Sequence, residues 1–308
     1  MGNRVFVGAV VVLWLGSMSW LMVDKVLPSF YDGEPPIAAG FEPNEPVAWS
    51  VFWADRFVGH AASVRLPGPS GTTNLENRVQ LDDVPLLDLL PPLMRQVVGD
   101  IGRMKLDAYT KLEFDSLDNF SAFESRVSIN DISSLLTLKG RMEGAYLTLK
   151  VTLNTAQPYK VNVFISNEAA LSEALFPDSK LPYMYPGRRW TEDVYSPFRS
   201  PSDPVDSVEV EVTGQESIEY GGAAERVLRV EYRGSQGPGV PEEARLQAVA
   251  WVRPVDGLVL KQEVYVNNST LKFVRLPDDR AAEVGRQLLT DRRNFPTGMP
   301  RGGSHVQN

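Results

Sequence analysis

Groups able to do chemistry are scarce in this chain, and the scarcity bounds what it does. There is no cysteine. That removes a thiol nucleophile, thiolate metal sites, disulfides and a lipid-modified cysteine. Of the two histidines, His305 lies close to the C-terminus and His60 follows Gly59. A Ser-His-Asp triad would have to use His60, and no G-x-S-x-G elbow presents a serine to it. P-loop and G-x-G-x-x-G motifs are absent, and no His/Cys metal set can be assembled. Carboxylates remain. Glu113, Asp115 and Asp118 precede Asn119 and read as a solvated turn or, alternatively, as part of a calcium loop, although the EF-hand order is missing. Asp82 with Asp83, and Glu242 with Glu243, are sequence neighbours. Such neighbours rarely form the roughly 5–9 Å carboxylate pair of a glycosidase. The expectation is a protein that is not an enzyme, with no cofactor and no metal.

Two apolar features carry the candidate ligand-binding residues. Leu87, Leu90, Met94 and Val97, continued by Ile101, recur at helical spacing and form an apolar stripe over 84–101. The stripe is either plain core or the wall of a ligand cavity. Pro91-Pro92 within it predicts a kink or a helix starting near Pro92. Tyr183, Met184 and Tyr185 lie between Pro182 and Pro186 in a stretch with neither strand nor helix period. Aromatics and methionine suit adaptable apolar contacts. The segment Leu181–Pro186 is therefore a mobile cover over a ligand or packing over a sheet edge.

The elements that would position these residues are mostly strands. Met104–Asp115, Ala145–Leu153 and Tyr159–Ile165 alternate apolar and polar residues, and so does the run through Val208, Val210 and Val212. Leu258, Leu260, Gln262, Val264 and Val266 form another such strand, entered through the turn Pro254-Val255-Asp256-Gly257. Period 2 with a polar face means antiparallel strands wetted on one side. Helices are few: the stripe above, a short candidate at Glu168–Phe176, and Asp278–Arg292 with Asp278 or Asp279 near its N-cap. Roughly ten one-sided strands and so few helices predict a mainly β (α+β) fold. A large curled antiparallel sheet, a half-barrel over 47–293, would wrap one or two helices; two domains are the alternative. Residues 294–308, rich in Gly, Pro and Arg, are expected to be a disordered tail.

Val5–Val23 carries no charge, and at 1.5 Å per residue it spans roughly 28 Å, near the thickness of a bilayer core. Residues 1–25 are a signal anchor or a cleaved signal peptide, since Ser17-Met18-Ser19 offers small residues for cleavage. Either way the main domain is delivered to the extracytoplasmic side, after a Pro-rich linker at 26–46. The net charge of −8 is not gathered into blocks, and no basic stripe suits nucleic acid.

Three stretches carry a resemblance. Trp49-Ser50-Val51-Phe52-Trp53, a turn, then Phe57-Val58-Gly59-His60 looks like an opening hairpin; Pro186-Gly187-Arg188-Arg189-Trp190 like a turn into a strand; and Ala250-Trp251-Val252-Arg253-Pro254-Val255-Asp256-Gly257-Leu258-Val259-Leu260-Lys261 like a late hairpin. Together they resemble the half-barrel of bacterial lipoprotein-carrier (LolA-like) proteins and related uncharacterised periplasmic families. The resemblance implies an envelope protein whose curled sheet encloses an apolar cavity plugged by helices. It also implies a hydrophobic ligand, lipid or lipoprotein acyl chain, or else a scaffold role. The missing lipoprotein cysteine and the N-terminal anchor depart from a free shuttle. The expected function is thus a membrane-anchored extracytoplasmic β domain that binds a hydrophobic ligand or an envelope partner protein. The alternative is a structural accessory subunit with no ligand.

Overall fold

The computed structural model describes residues 17, 43–85, 103–130, 132–144, 146–154, 157–164, 177–195, 205–234, 241–266 and 269–290. The candidate helices over 86–101 and Glu168–Phe176 lie outside them, and so does the N-terminal run except Ser17. Among the described residues no helix is long and apolar enough to cross a membrane.

Fourteen strands are described: β1 (Val47–Trp53), β2 (Arg56–Pro67), β3 (Thr73–Val84), β4 (Met104–Phe114), β5 (Phe120–Ile129), β6 (Ile132–Glu143), β7 (Tyr146–Leu153), β8 (Tyr159–Phe164), β9 (Arg189–Tyr195), β10 (Val205–Tyr220), β11 (Ala223–Gly234), β12 (Leu246–Val252), β13 (Val259–Val266) and β14 (Ser269–Arg275). One helix follows, α1 (Asp278–Thr290), with Asp278 and Asp279 in its first turn. There they complement the positive helix N-terminus. The strands form one sheet in the order β8-β7-β6-β5-β4-β3-β2-β1-β14-β13-β12-β11-β10-β9. Every pairing is antiparallel. Two meanders are thus joined where the first strand pairs with the last, Trp49 opposite Arg275 and Trp53 opposite Leu271.

The alternation read from the sequence places the core. On β4, Met104, Leu106, Ala108, Leu112 and Phe114 are buried, and the one polar residue in that row, Thr110, donates its hydroxyl to Ser125 Oγ of β5 at 2.8 Å. A buried hydroxyl satisfied in this way costs the core little. One apolar cluster covers β1–β7 and β14 around Trp49, Val51, Leu147 and Phe273. A second covers β9–β13 around Val210, Val212, Val230 and Ala250. Val264 packs against both clusters, so the two share one face of the sheet.

Three local expectations change. Val84 does not begin a helix; it ends β3, fully buried and opposite Met104. The described helix α1 does not lie on the apolar face. Its Ala281 and Leu288 pack on Ala48 and Ala62, whose side chains point opposite to Trp49 and Ala61, and alanines there let the helix approach closely. Finally, β13 does not keep one phase. A bulge pairs Trp251 with Lys261 and Val252 with Val259. Val259 therefore stays on the apolar face while Leu258 and Leu260 join Trp251, Val249 and Val227 on the other. A bulge inserts one residue and flips every side chain before it.

The carboxylates of the β4–β5 turn are engaged in structure. Asp115 accepts from the backbone N–H of Leu117 and Asn119 at 2.8 and 2.9 Å, which holds its carboxyl below the usual carboxylate range. Asp118 pairs with Arg65 at 2.7 Å and Glu113 with Lys111 at 2.6 Å.

Candidate ligand site at a strap across the apolar face

Residues 177–188 form an irregular strap that the flanking strands bind at both ends. At its start, Lys180 makes an antiparallel bridge with Leu258. Val259 donates its N–H to Ser179 O at 3.2 Å, and Leu181 donates to Gly257 O at 2.8 Å. Gly257 has φ +73°, and a Cβ there would stand 2.5 Å from Leu181 O. The Asp-Gly turn needs glycine both for its backbone and for this approach. At the other end, Gly187 donates to Val212 O at 2.8 Å and Val212 to Arg188 O at 2.9 Å. Between the ends, buried Arg188 gathers the strap inward. Its Nη1 reaches Tyr183 O at 3.1 Å and Pro182 O at 3.3 Å, and its guanidinium lies 5.4 Å from the centroid of the Trp190 ring.

The strap divides the expected trio. Leu181 is buried in the β9–β13 cluster and Met184 packs against that cluster. Tyr183 is 59% exposed and takes the left-handed conformation at φ +61°. Tyr185 is half-buried, and its carbonyl accepts from Arg188 N. The segment expected as a mobile cover is thus hydrogen-bonded to the strands on either side. Leu87, Leu90, Met94 and Val97 lie outside the described residues.

One acid of the strap, Asp178, and one of β9, Glu192, act on each other. Glu192 of β9 shares the phase of Trp190 and is 9% exposed. Burial, with the negative charge of Asp178 added, pushes its carboxyl up to about 8, and the Trp190 indole opposes this. Asp178 keeps part of its surface in solvent, but its carboxyl is enclosed and burial raises it too, against the Tyr232 hydroxyl. Tyr232 donates to Asp178 Oδ2 at 3.0 Å, and the Asp178 N–H donates to Gln262 Oε1 at 3.0 Å. At neutral pH Glu192 therefore holds a proton. A neutral carboxyl in apolar surroundings is a hydrogen-bond donor, suited to an ester or carbonyl oxygen.

No family model matches the chain, and no curated protein matches it. Solved structures do show similarity. One is a β-barrel-like protein of a domain of unknown function, DUF1849, from Brucella abortus. It covers 77% of this chain and 97% of its own at 9% identity, with a TM-score of 0.48. Another is the hypothetical lipoprotein YmcC from Escherichia coli K12. It covers 83% and 95% at 12% identity, with a TM-score of 0.26. Neither is described as a lipoprotein carrier.

The acids singled out by sequence adjacency lie elsewhere. Asp83 pairs with Arg56 and, at 2.8 Å, with Arg103, and Asp82 lies 3.6 Å from Lys105. His60 packs edge-on against Phe57; burial and the charge of Arg280 push its imidazole below the ordinary histidine value, so it is neutral at pH 7. The acids that do come together were missed. Glu192 was legible, because Trp190, Glu192 and Val194 share a phase, so a carboxylate stands where an apolar residue is due. Asp178 left no signal, since its stretch has no period.

Proposed function

We propose that this chain is a non-catalytic binding protein of the cell envelope, carried on its N-terminal segment. In this reading a half-barrel holds a hydrophobic ligand, a lipid or an acyl chain, or a partner protein against its apolar face. The observation that supports it is the strap, which seats Leu181 and Met184 on the apolar cluster and leaves Tyr183 outward beside it. A continuous apolar face with a strap laid across it from β13 to β10 is a container's construction rather than a catalyst's. The second reading, an accessory subunit without a ligand, draws on the packing under the strap. There Val208, Val210 and Val212 are at most 3% exposed, so that end of the face is filled. Exposed Tyr146 and Tyr159 near the edge strand β8 would then meet the partner.

One sample distinguishes these readings. With Tyr183→Ser and Tyr185→Ser combined, binding of a fluorescent lipid should weaken by about 1–3 kcal/mol, the order of a buried side chain's contact area. The melting temperature should hardly move, because Tyr183 adds little to the core. A fall of several degrees with unchanged affinity in the folded fraction would make the segment ordinary packing.

A further inference from the structure

A cavity of about 460 Å³ opens where the entry segment Asn44–Val47, the start of the strap, the end of β14 and one side of α1 meet. Its walls are apolar at Pro46, Val47, Leu258 and Ala282, and cationic at Lys180, Arg275 and Arg286. Glu45 and Asp278 also line it, leaving an excess of one positive charge.

Arg275 is the group that asks for a ligand. It follows Leu271 and Phe273 in the buried row of β14 and is 8% exposed. Among the described residues its five N–H donors make one hydrogen bond, from Nη1 to Ser179 O at 3.0 Å, and no carboxylate stands within ion-pair distance of it. Burial accordingly lowers its pKa, with the Tyr220 and Asp278 charges working the other way. A buried cation without a counter-ion is costly. Lys180 and Arg286 bring two more cations without an ion pair among the described residues, Arg286 giving its Nε to Ala282 O at 2.9 Å. Three cations from β14, the strap and α1 thus converge on one cavity, and the two carboxylates that also line it, Glu45 and Asp278, leave one positive charge in excess.

We infer that this cavity binds a phosphate-type oxyanion between Arg275, Lys180 and Arg286, either as the headgroup of a lipid or as free phosphate. The inference is independent of the hydrophobic-ligand reading; an apolar face that bound nothing would leave it standing.

Calorimetric titration of the full chain in neutral detergent tests it with three probes: inorganic phosphate, dihexanoyl phosphatidylglycerol, and zwitterionic dihexanoyl phosphatidylcholine as control. Saturable one-to-one binding of inorganic phosphate or of the phosphatidylglycerol, at millimolar affinity or tighter and weakening with salt, is expected. Tighter binding of the phosphatidylglycerol than of both other probes identifies a lipid headgroup; inorganic phosphate bound at least as tightly as the phosphatidylglycerol, with the phosphatidylcholine bound more weakly than either, identifies free phosphate. The double variant Lys180→Gln with Arg286→Gln should bind roughly tenfold more weakly at an unchanged melting temperature. Arg275→Gln should bind more weakly still in its folded fraction. Absence of saturable anion binding, equal binding of all three probes, or undiminished affinity in the double variant would overturn the assignment.

Discussion

Replacing Glu192 with glutamine should stabilise the protein at pH 8 and leave it nearly unchanged at pH 4. In the folded chain Glu192 keeps its proton up to about pH 8, whereas its ordinary value is 4.5. Between those limits unfolding releases a proton, so stability falls as pH rises, by roughly 1.4 kcal/mol per pH unit. The full contribution is present below 4.5 and is lost by the time pH passes 8. Asp178, also raised by burial, adds to the slope with the same sign. Glutamine keeps the shape and the hydrogen-bonding capacity without a charge to desolvate. At pH 8 the Glu192→Gln variant should therefore exceed the parent by about 3 kcal/mol, or about 6–12 °C in melting temperature for a chain of this size. Melting curves between pH 4 and pH 9 decide the matter. Parallel curves for parent and variant would mean that Glu192 is already ionised in the folded chain.

Replacing Arg78 with alanine should be the most damaging single change to the seat of α1. Arg78 stands on β3, 3% exposed, and makes two bonds to Asp107 of β4, Nε to Oδ1 at 2.9 Å and Nη2 to Oδ2 at 2.6 Å. Its Nη1 reaches across the outer surface to Leu288 O at 2.6 Å, in the last turn of α1, where a cation favours the helix dipole. One side chain thus joins residues 78, 107 and 288. Alanine would orphan the Asp107 carboxylate and the helix-end carbonyl together. Breaking a buried pair costs about 3–5 kcal/mol, and the partial exposure of Asp107, 24%, places this case near 3. Chemical denaturation should show that loss, and hydrogen exchange should show α1 opening ahead of the sheet. In Arg78→Ala with Asp107→Ala part of the stability should return. A double variant as unstable as the sum of the two single changes would mean that the pair is not coupled.

How far the sequence carries can be judged residue by residue. β4, β7, β8 and β10 were legible because one face of each meets water, so polar and apolar residues alternate. α1 was legible from its period and from Asp278 and Asp279 at its start. The pairing of β1 with β14, which joins the two meanders, was not. Residues 49 and 275 are brought together by the whole fold, and nothing local marks them. The bulge in β13 was hidden for another reason: Leu258, Leu260 and Val264 are all apolar and all packed, so a phase change between two apolar faces leaves no trace in the alternation. Of the site, the strap stood out through its prolines and aromatics. Its hydrogen bonds did not, because Ser179, Leu181 and Arg188 make them through backbone atoms or across long sequence separations. Arg275 could be read only as the polar end of an apolar strand until β14, the strap and α1 were seen to enclose it.

Native mass spectrometry of the full chain extracted in mild detergent tests the binding proposal most directly. The account predicts a folded protein carrying one lipid-sized adduct that survives detergent removal and is displaced by an excess of fluorescent lipid. A folded protein at its bare mass, with no saturable uptake of added lipid, would contradict it and leave the accessory-subunit reading in its place.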